Sequence, residues 1–70
     1  MAESVYKCIE LVGTSEKSWE QAVTNVVETV SQSIRDIRVA EVKELDIKIA
    51  DGKVALYRVS VRLSFKYQGE

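Results

Sequence analysis

Three carboxylates stand close together in the middle of the chain, within the segment VAEVKELD. They belong to Glu41, Glu44 and Asp46, and carboxylate oxygens are the ligands that hard cations such as calcium prefer. Calcium takes about six to eight oxygen ligands, so a site here needs further ligands from water or from other copies of the chain. The alternative interpretation is a solvated face on which Lys43 and Lys48 form salt bridges with these acids.

A second candidate surface is the polar side of the last segment. Basic residues and serines alternate there with apolar residues, at positions Arg58, Ser60, Arg62, Ser64 and Lys66. A basic stripe attracts anionic ligands. The interpretation that we favour is a set of salt bridges between this stripe and the carboxylates of neighbouring subunits.

The residues from which most enzyme sites are built are scarce. The chain has no histidine and one cysteine, and its three glycines, at 13, 52 and 69, form no phosphate-binding loop. A zinc site of the usual histidine and cysteine kind is therefore excluded. Without a histidine to activate it, Cys8 is expected to be packed rather than reactive. Trp19 is expected in the core rather than in a ligand platform, and no enzymatic activity is expected.

Length and charge restrict the class of protein further. Seventy residues predict one domain, 1–70, which buries only about 60% of its unfolded surface and needs partners for stability. Ten basic and eleven acidic residues are interspersed, which argues against a nucleic-acid surface. No apolar run reaches the ~20 residues of a membrane span, and the first residues lack the signal-peptide pattern. A lone cysteine fits the cytoplasm.

The first half of the chain predicts a strand followed by a helix. Residues 5–12 are rich in β-formers, and the Gly-Thr-Ser sequence at 13–15 is expected to end that strand. A helix is predicted from Ser18, which forms a capping box with Gln21, to about Arg35. Its apolar stripe recurs at helical spacing and comprises Trp19, Ala22, Val23, Val26, Val27, Val30, Ile34 and Ile37.

The second half predicts a long hairpin. Residues 39–50 change the phase of their alternation at Lys43-Glu44, which predicts a β-bulge or a bend. Asp51-Gly52 predicts a tight turn, after which alternation continues to Tyr67. The expected fold is α+β, in the order β-α-β-β, with a three-stranded antiparallel curved sheet wrapped around one helix.

These strands are too long for a compact domain of this size. A strand of about fourteen residues extends roughly 45 Å, whereas a 70-residue domain has a radius of gyration of about 11 Å. The hairpin must therefore bend sharply or overhang the helix. An overhanging apolar face needs another subunit to cover it, so we expect a homo-oligomer.

Nearly the whole chain resembles the dodecin family. The segments that carry the resemblance are VYKCIELVGTS, SWEQA, VAEVKEL and DGKVALYRVSVRLSF. The resemblance implies a β-α-β-β subunit of a hollow homododecamer. Members of the family typically bind flavins, such as FMN or riboflavin, as stacked pairs, which they are thought to store or to protect from photochemistry.

Three positions depart from the pattern of the flavin-binding members. The place of the flavin-stacking tryptophan holds Val39, that of the flavin-contacting glutamine holds Arg58, and that of a phosphate-contacting arginine holds Asp46. A valine has no flat ring to stack, and an arginine offers hydrogen-bond donors only. An aspartate repels phosphate. The stretch DIRVAEV is more similar to the calcium dodecins, a subgroup that lacks the tryptophan.

The resemblance therefore implies a non-enzymatic dodecameric shell that stores small ligands or ions. Flavin binding is expected to be weakened or lost, and calcium or another divalent cation is the candidate ligand. Two alternatives stay open, a flavin-storing dodecin with a variant pocket and a purely structural assembly. The expected partners are further copies of the chain and a small molecule or ion, but neither nucleic acid nor membrane.

Overall fold

A computed structural model describes residues 4–67 of the chain. Its elements are β1 (Tyr6–Ser15), α1 (Trp19–Ser31), β2 (Ile37–Ala50) and β3 (Lys53–Lys66). Both outer strands pair antiparallel with β3, so the sheet order is β1-β3-β2. The predicted α+β class and the order β-α-β-β are confirmed. No helix within residues 4–67 is long and apolar enough to cross a membrane.

The helix begins where its cap predicts and ends earlier than its apolar stripe predicts. The Ser18 hydroxyl accepts a hydrogen bond from the Gln21 backbone N–H at 3.0 Å. The helix ends at Ser31 rather than near Arg35, because two successive N–H groups, of Ser33 and Ile34, bond to the same carbonyl of Val30. This tightens the last turn. The stripe residues Ile34 and Ile37 thus pack on the core from outside the helix.

The first strand runs through Gly13 to Ser15, so the expectation that residues 13–15 end it was wrong. Gly13 pairs with Val59 in the middle of the sheet. A Cβ at Gly13 would collide with the Val26 side chain and lie 2.7 Å from the Ala22 carbonyl oxygen. The glycine is there because strand and helix approach closely, and not because the chain turns.

The hairpin has the turn and the bulge that its sequence predicts. Asp51 and Gly52 have φ values of 54° and 73°, and a turn with two positive φ angles matches the twist of antiparallel strands. Val42 lies opposite Val61 and Glu44 lies opposite Ser60, so Lys43 is the extra residue of the bulge. The bulge places Leu45 and Ile47 on the same face as Val42.

The hairpin overhangs the helix. Thirteen helical residues span about 20 Å, whereas fourteen strand residues span about 46 Å. The structure measures 53 × 21 × 18 Å and has a radius of gyration of 14.5 Å, against about 11 Å for a compact domain. Among residues 4–67, six apolar residues are buried, Ala22, Val26, Val30, Val59, Val61 and Leu63. The sheet therefore projects beyond the helix that it was expected to wrap.

The hairpin exposes large apolar side chains that the helix does not cover. On β2 and the start of β3 they are Val39, Val42, Leu45, Ile47, Ile49 and Val54, with exposed fractions between 38% and 64%. Val42, Leu45 and Ile47 share the helix side of the sheet, whereas Val39 lies on the other side. Leu45 lies opposite Val59, which the helix buries almost completely, yet Leu45 itself is 53% exposed. So large an apolar surface on a chain with so small a core is typical of a subunit interface.

Candidate ligand-binding face

The candidate site residues lie on the sheet face opposite the helix, which we call the outer face. Alternate residues of β3, Val59, Val61 and Leu63, are buried under the helix, so the residues between them face the other way. These are Arg58, Ser60, Arg62 and Ser64. Their cross-strand neighbours are Thr14, Val12, Glu10 and Cys8 on β1 and Asp46, Glu44, Glu41 and Val39 on β2. The sequence thus places acids of the outer strands opposite arginines of the central strand.

Arg62 connects all three strands through two carboxylates. Its Nε and Nη2 atoms donate to one oxygen of Glu10 at 3.2 and 3.0 Å, and its Nη1 atom lies 3.9 Å from Glu41. The hydrogen bond to Glu10, and then the negative charge of that residue, raise the pKa of the Arg62 guanidinium above its ordinary value. Arg62 therefore stays charged at neutral pH.

Arg58 forms a second ion pair two outer-face rows closer to the turn, beyond the row of Ser60. Its Nε atom donates to Asp46 Oδ1 at 2.9 Å, and both side chains are about half exposed. The backbone carbonyl of Asp46 also accepts a hydrogen bond, at 3.0 Å, from the indole nitrogen of Trp19. Arg58 is thus matched by an aspartate on the adjacent strand.

These ion pairs give both arginines of the basic stripe partners within one chain, and its expected salt bridges with carboxylates of neighbouring subunits stay a prediction. In the described chain Arg58 pairs with Asp46, and Arg62 pairs with Glu10 and Glu41. The physical reason is the antiparallel register, which sets these residues directly opposite each other within one sheet. The Glu10–Arg62 pair was missed from the sequence because 52 residues separate its members.

The three predicted cation ligands share the outer face but are not gathered into one site. Glu41 and Asp46 lie opposite Arg62 and Arg58, four residues apart on β3, or about 13 Å. Among residues 4–67, no group of three acidic, histidine or cysteine side chains is close enough to hold a metal ion. A cation site on one chain alone would therefore be incomplete.

Glu44 differs from the two other predicted ligands. It lies opposite Ser60 rather than an arginine, and no salt bridge involves it among the described residues. Beside it is a polar hollow of ≈ 250 Å³ that Glu10, Lys43 and Ser60 also line. Glu44 is the carboxylate of the three that is most open to a ligand.

The positions that the sequence resemblance assigns to a flavin pocket lie far apart on one chain. Val39 lies opposite Ser64 and is 55% exposed, whereas Asp46 lies opposite Arg58. Six residues of β3 separate the two rows, which is about 20 Å. Val39 and Arg58 of the same chain therefore do not line a common pocket, and such a pocket would combine residues of different copies.

Of the two residues expected to be packed in the core, Trp19 is and Cys8 is not. Cys8 is exposed on the outer face, with its sulfur 3.3 Å from the Ser64 hydroxyl, so the expectation that it is packed was wrong for this chain. Trp19 is partly buried against the core, as expected. It also makes an edge-to-face contact with Tyr57, with ring centroids 5.1 Å apart, and the hydrogen bond to Asp46. No spacing in the sequence indicates that hydrogen bond.

The order of elements and the register match a known group of proteins. The sequence model of the dodecins matches residues 5–68. The chain belongs to the dodecin family. A dodecin structure from Streptomyces coelicolor superposes with a TM-score of 0.93 at 36% identity, over 100% of both chains. The resemblance seen in the sequence is confirmed.

Relatives within the family include both kinds of dodecin. A calcium dodecin from Mycobacterium tuberculosis is 44% identical over 63 residues, or 90% of this chain and 89% of the relative. Its crystal structure, described as a calcium-chelating antigen with a novel calcium-binding site, superposes with a TM-score of 0.82 over 96% of each chain. A dodecin from Thermus thermophilus is 34% identical over 64 residues, or 91% of this chain and 93% of the relative.

Proposed function

We propose that this dodecin is a self-assembling, non-enzymatic storage protein that holds divalent cations such as calcium and binds flavin weakly or not at all. The observation that carries the proposal is the Arg58–Asp46 pair, in which two substituted positions of the flavin pocket neutralise each other. The identity of 44% to a calcium dodecin supports the choice of cation. The number of twelve subunits is taken from the dodecin family and is part of the proposal.

Assembly is what would complete a cation site. One chain offers Glu44 beside a polar hollow, and calcium needs about six to eight oxygens. Symmetry-related copies repeat every carboxylate of the outer face, so a few chains meeting there supply enough ligands together with water. The overhanging apolar hairpin provides the surface through which such copies meet.

Removing the free carboxylate tests the cation site. We expect Glu44→Gln to weaken calcium binding about tenfold, or by about 1.4 kcal/mol, because the amide keeps the shape but loses the charge. Calorimetric titration of the native assembly with calcium chloride measures this. Glu28→Gln, which removes an exposed carboxylate of the helix, is the matched control and should bind calcium like the native protein. Equal affinities of the Glu44 variant and the native chain would contradict the assignment.

Introducing the residues of the flavin-binding dodecins tests the proposal that this chain binds flavin weakly or not at all. We expect the double variant Val39→Trp, Arg58→Gln to bind riboflavin about a hundredfold more tightly than the native chain, because a stacking ring and an amide return together. Quenching of riboflavin fluorescence measures the affinity. Val39→Leu is the control, since it adds apolar volume without a flat ring.

The same titration separates the alternatives. Tight riboflavin binding by the native chain would establish a flavin-storing dodecin with a variant pocket and would overturn the flavin-poor proposal. An assembly that binds neither riboflavin nor calcium would be a purely structural shell.

A further inference from the structure

Trp19 contacts the hairpin beside two of the site residues of the outer face. Its indole N–H donates to the Asp46 carbonyl at 3.0 Å, although 27 residues separate the two. Its ring meets the edge of Tyr57, at an interplanar angle of 79°. Tyr57 precedes Arg58 on β3 and lies opposite Ile47, which follows Asp46 on β2. The indole thus contacts both strands of the hairpin at the Arg58–Asp46 pair.

A core role alone does not account for this arrangement. The apolar area of Trp19 packs against the core, and a phenylalanine would supply most of that area. The indole N–H contributes nothing to apolar packing, and it donates a hydrogen bond to the backbone carbonyl of Asp46. Trp19 is also the first residue of the helix, directly after the capping residue Ser18, so its own backbone is well fixed.

The Arg58–Asp46 pair depends on such support. Both side chains are nearly half exposed, and exposed ion pairs are held weakly in one geometry by their charges alone. The Asp46 backbone belongs to an edge strand whose residues from 38 to 50 are all exposed. In addition to its pairing with β3, this part of the strand is held by the hydrogen bond from Trp19 of the helix.

We propose that Trp19 is a positioning residue that fixes the backbone at Asp46 and thereby the Arg58–Asp46 pair of the ligand-binding face. This inference rests on the proposed function, since it assigns Trp19 to the support of that site. It acts as outer-shell hydrogen bonds do around metal ligands, which they orient without touching the ion. Trp19 is therefore not a ligand, and its effect on a ligand passes through Asp46.

The test uses the native assembly and the variant Trp19→Phe, which keeps an aromatic ring and removes the N–H donor. The first readout is the Arg58 Nε–H resonance in ¹H–¹⁵N spectra, identified by its absence in Arg58→Lys. We expect this resonance to exchange slowly in the native protein and to broaden or vanish in Trp19→Phe. Val27→Ala, which trims a partly buried helical residue remote from the pair in sequence, should leave it unchanged.

The second readout is the affinity for calcium chloride by calorimetry. We expect Trp19→Phe to weaken it about tenfold and Val27→Ala to leave it unchanged. If the native assembly binds no calcium, the proposed function fails, while the Arg58 resonance still decides the role of Trp19. An Arg58 resonance of unchanged position and exchange rate in Trp19→Phe would overturn the inference.

If Trp19→Phe does not assemble, a third measurement that keeps Trp19 tests the inference. The chain has one tryptophan, so its spectrum shows one indole N–H resonance. We expect Asp46→Asn, which breaks the ion pair and keeps the backbone carbonyl, to shift this resonance. An indole resonance that Asp46→Asn leaves in place would show that Trp19 and the pair are independent.

Discussion

Leu45→Glu is expected to abolish assembly of the chain. Leu45 lies on the edge strand β2, opposite the buried Val59, and is 53% exposed in the single chain. Burying a leucine side chain contributes about 1.5–3 kcal/mol, and an unpaired carboxylate in its place costs several kcal/mol more. Every copy carries the change, so the penalty recurs at each interface of the assembly.

Light scattering coupled to size exclusion measures the result. We expect the native chain to elute as an oligomer and Leu45→Glu to elute as a monomer or to unfold, because its core of six buried apolar residues is small. Thr24→Glu, which adds the same charge at an exposed polar position of the helix, is the control and should assemble. A Leu45→Glu protein of native oligomeric size would show that the overhanging face is not the interface.

Gly13→Ala is expected to be among the most destabilising single changes in the chain. The added methyl group would collide with the Val26 side chain and lie 2.7 Å from the carbonyl oxygen of Ala22. A side chain can change its rotamer, but the helix backbone at Ala22 can yield only if the whole helix moves off the sheet. Overpacking typically costs about 1–3 kcal/mol, and we expect the upper end of that range.

Thermal unfolding at a fixed chain concentration measures the effect. A loss of about 3 kcal/mol lowers the melting temperature by more than about 10 °C for a domain of this size. Thr14→Ala is the control at the next position of the same strand, since it keeps the backbone carbonyl that Asn25 contacts. A Gly13→Ala protein that melts within a few degrees of the native one would mean that helix and strand are less tightly packed than the structure shows.

The turn, the bulge and the start of the helix could be predicted because each depends on residues that are neighbours in the sequence. The turn at Asp51-Gly52 followed from residues that tolerate positive φ, and the bulge at Lys43 followed from a change in alternation. The start of the helix at Ser18 followed from its cap. The overhang followed from strand length alone, because rise per residue is nearly constant.

The features that could not be predicted from the sequence depend on contacts between segments that are distant in the chain. Gly13 looks like a strand breaker until the helix packs against it. The Glu10–Arg62 pair depends on a register between the first and last strands, which local alternation does not specify. Trp19 is apolar in pattern, and its hydrogen bond to Asp46 exists only because the hairpin passes the start of the helix.

Native mass spectrometry of gently purified protein tests the central claim most directly, because it weighs the assembly and its bound ligands together. We expect twelve chains with added masses that match calcium ions and none that match flavin. A single chain would contradict the claim that the overhanging hairpin is a subunit interface. Twelve chains that carry flavin would contradict the claim that Val39 and the Arg58–Asp46 pair weaken or abolish flavin binding.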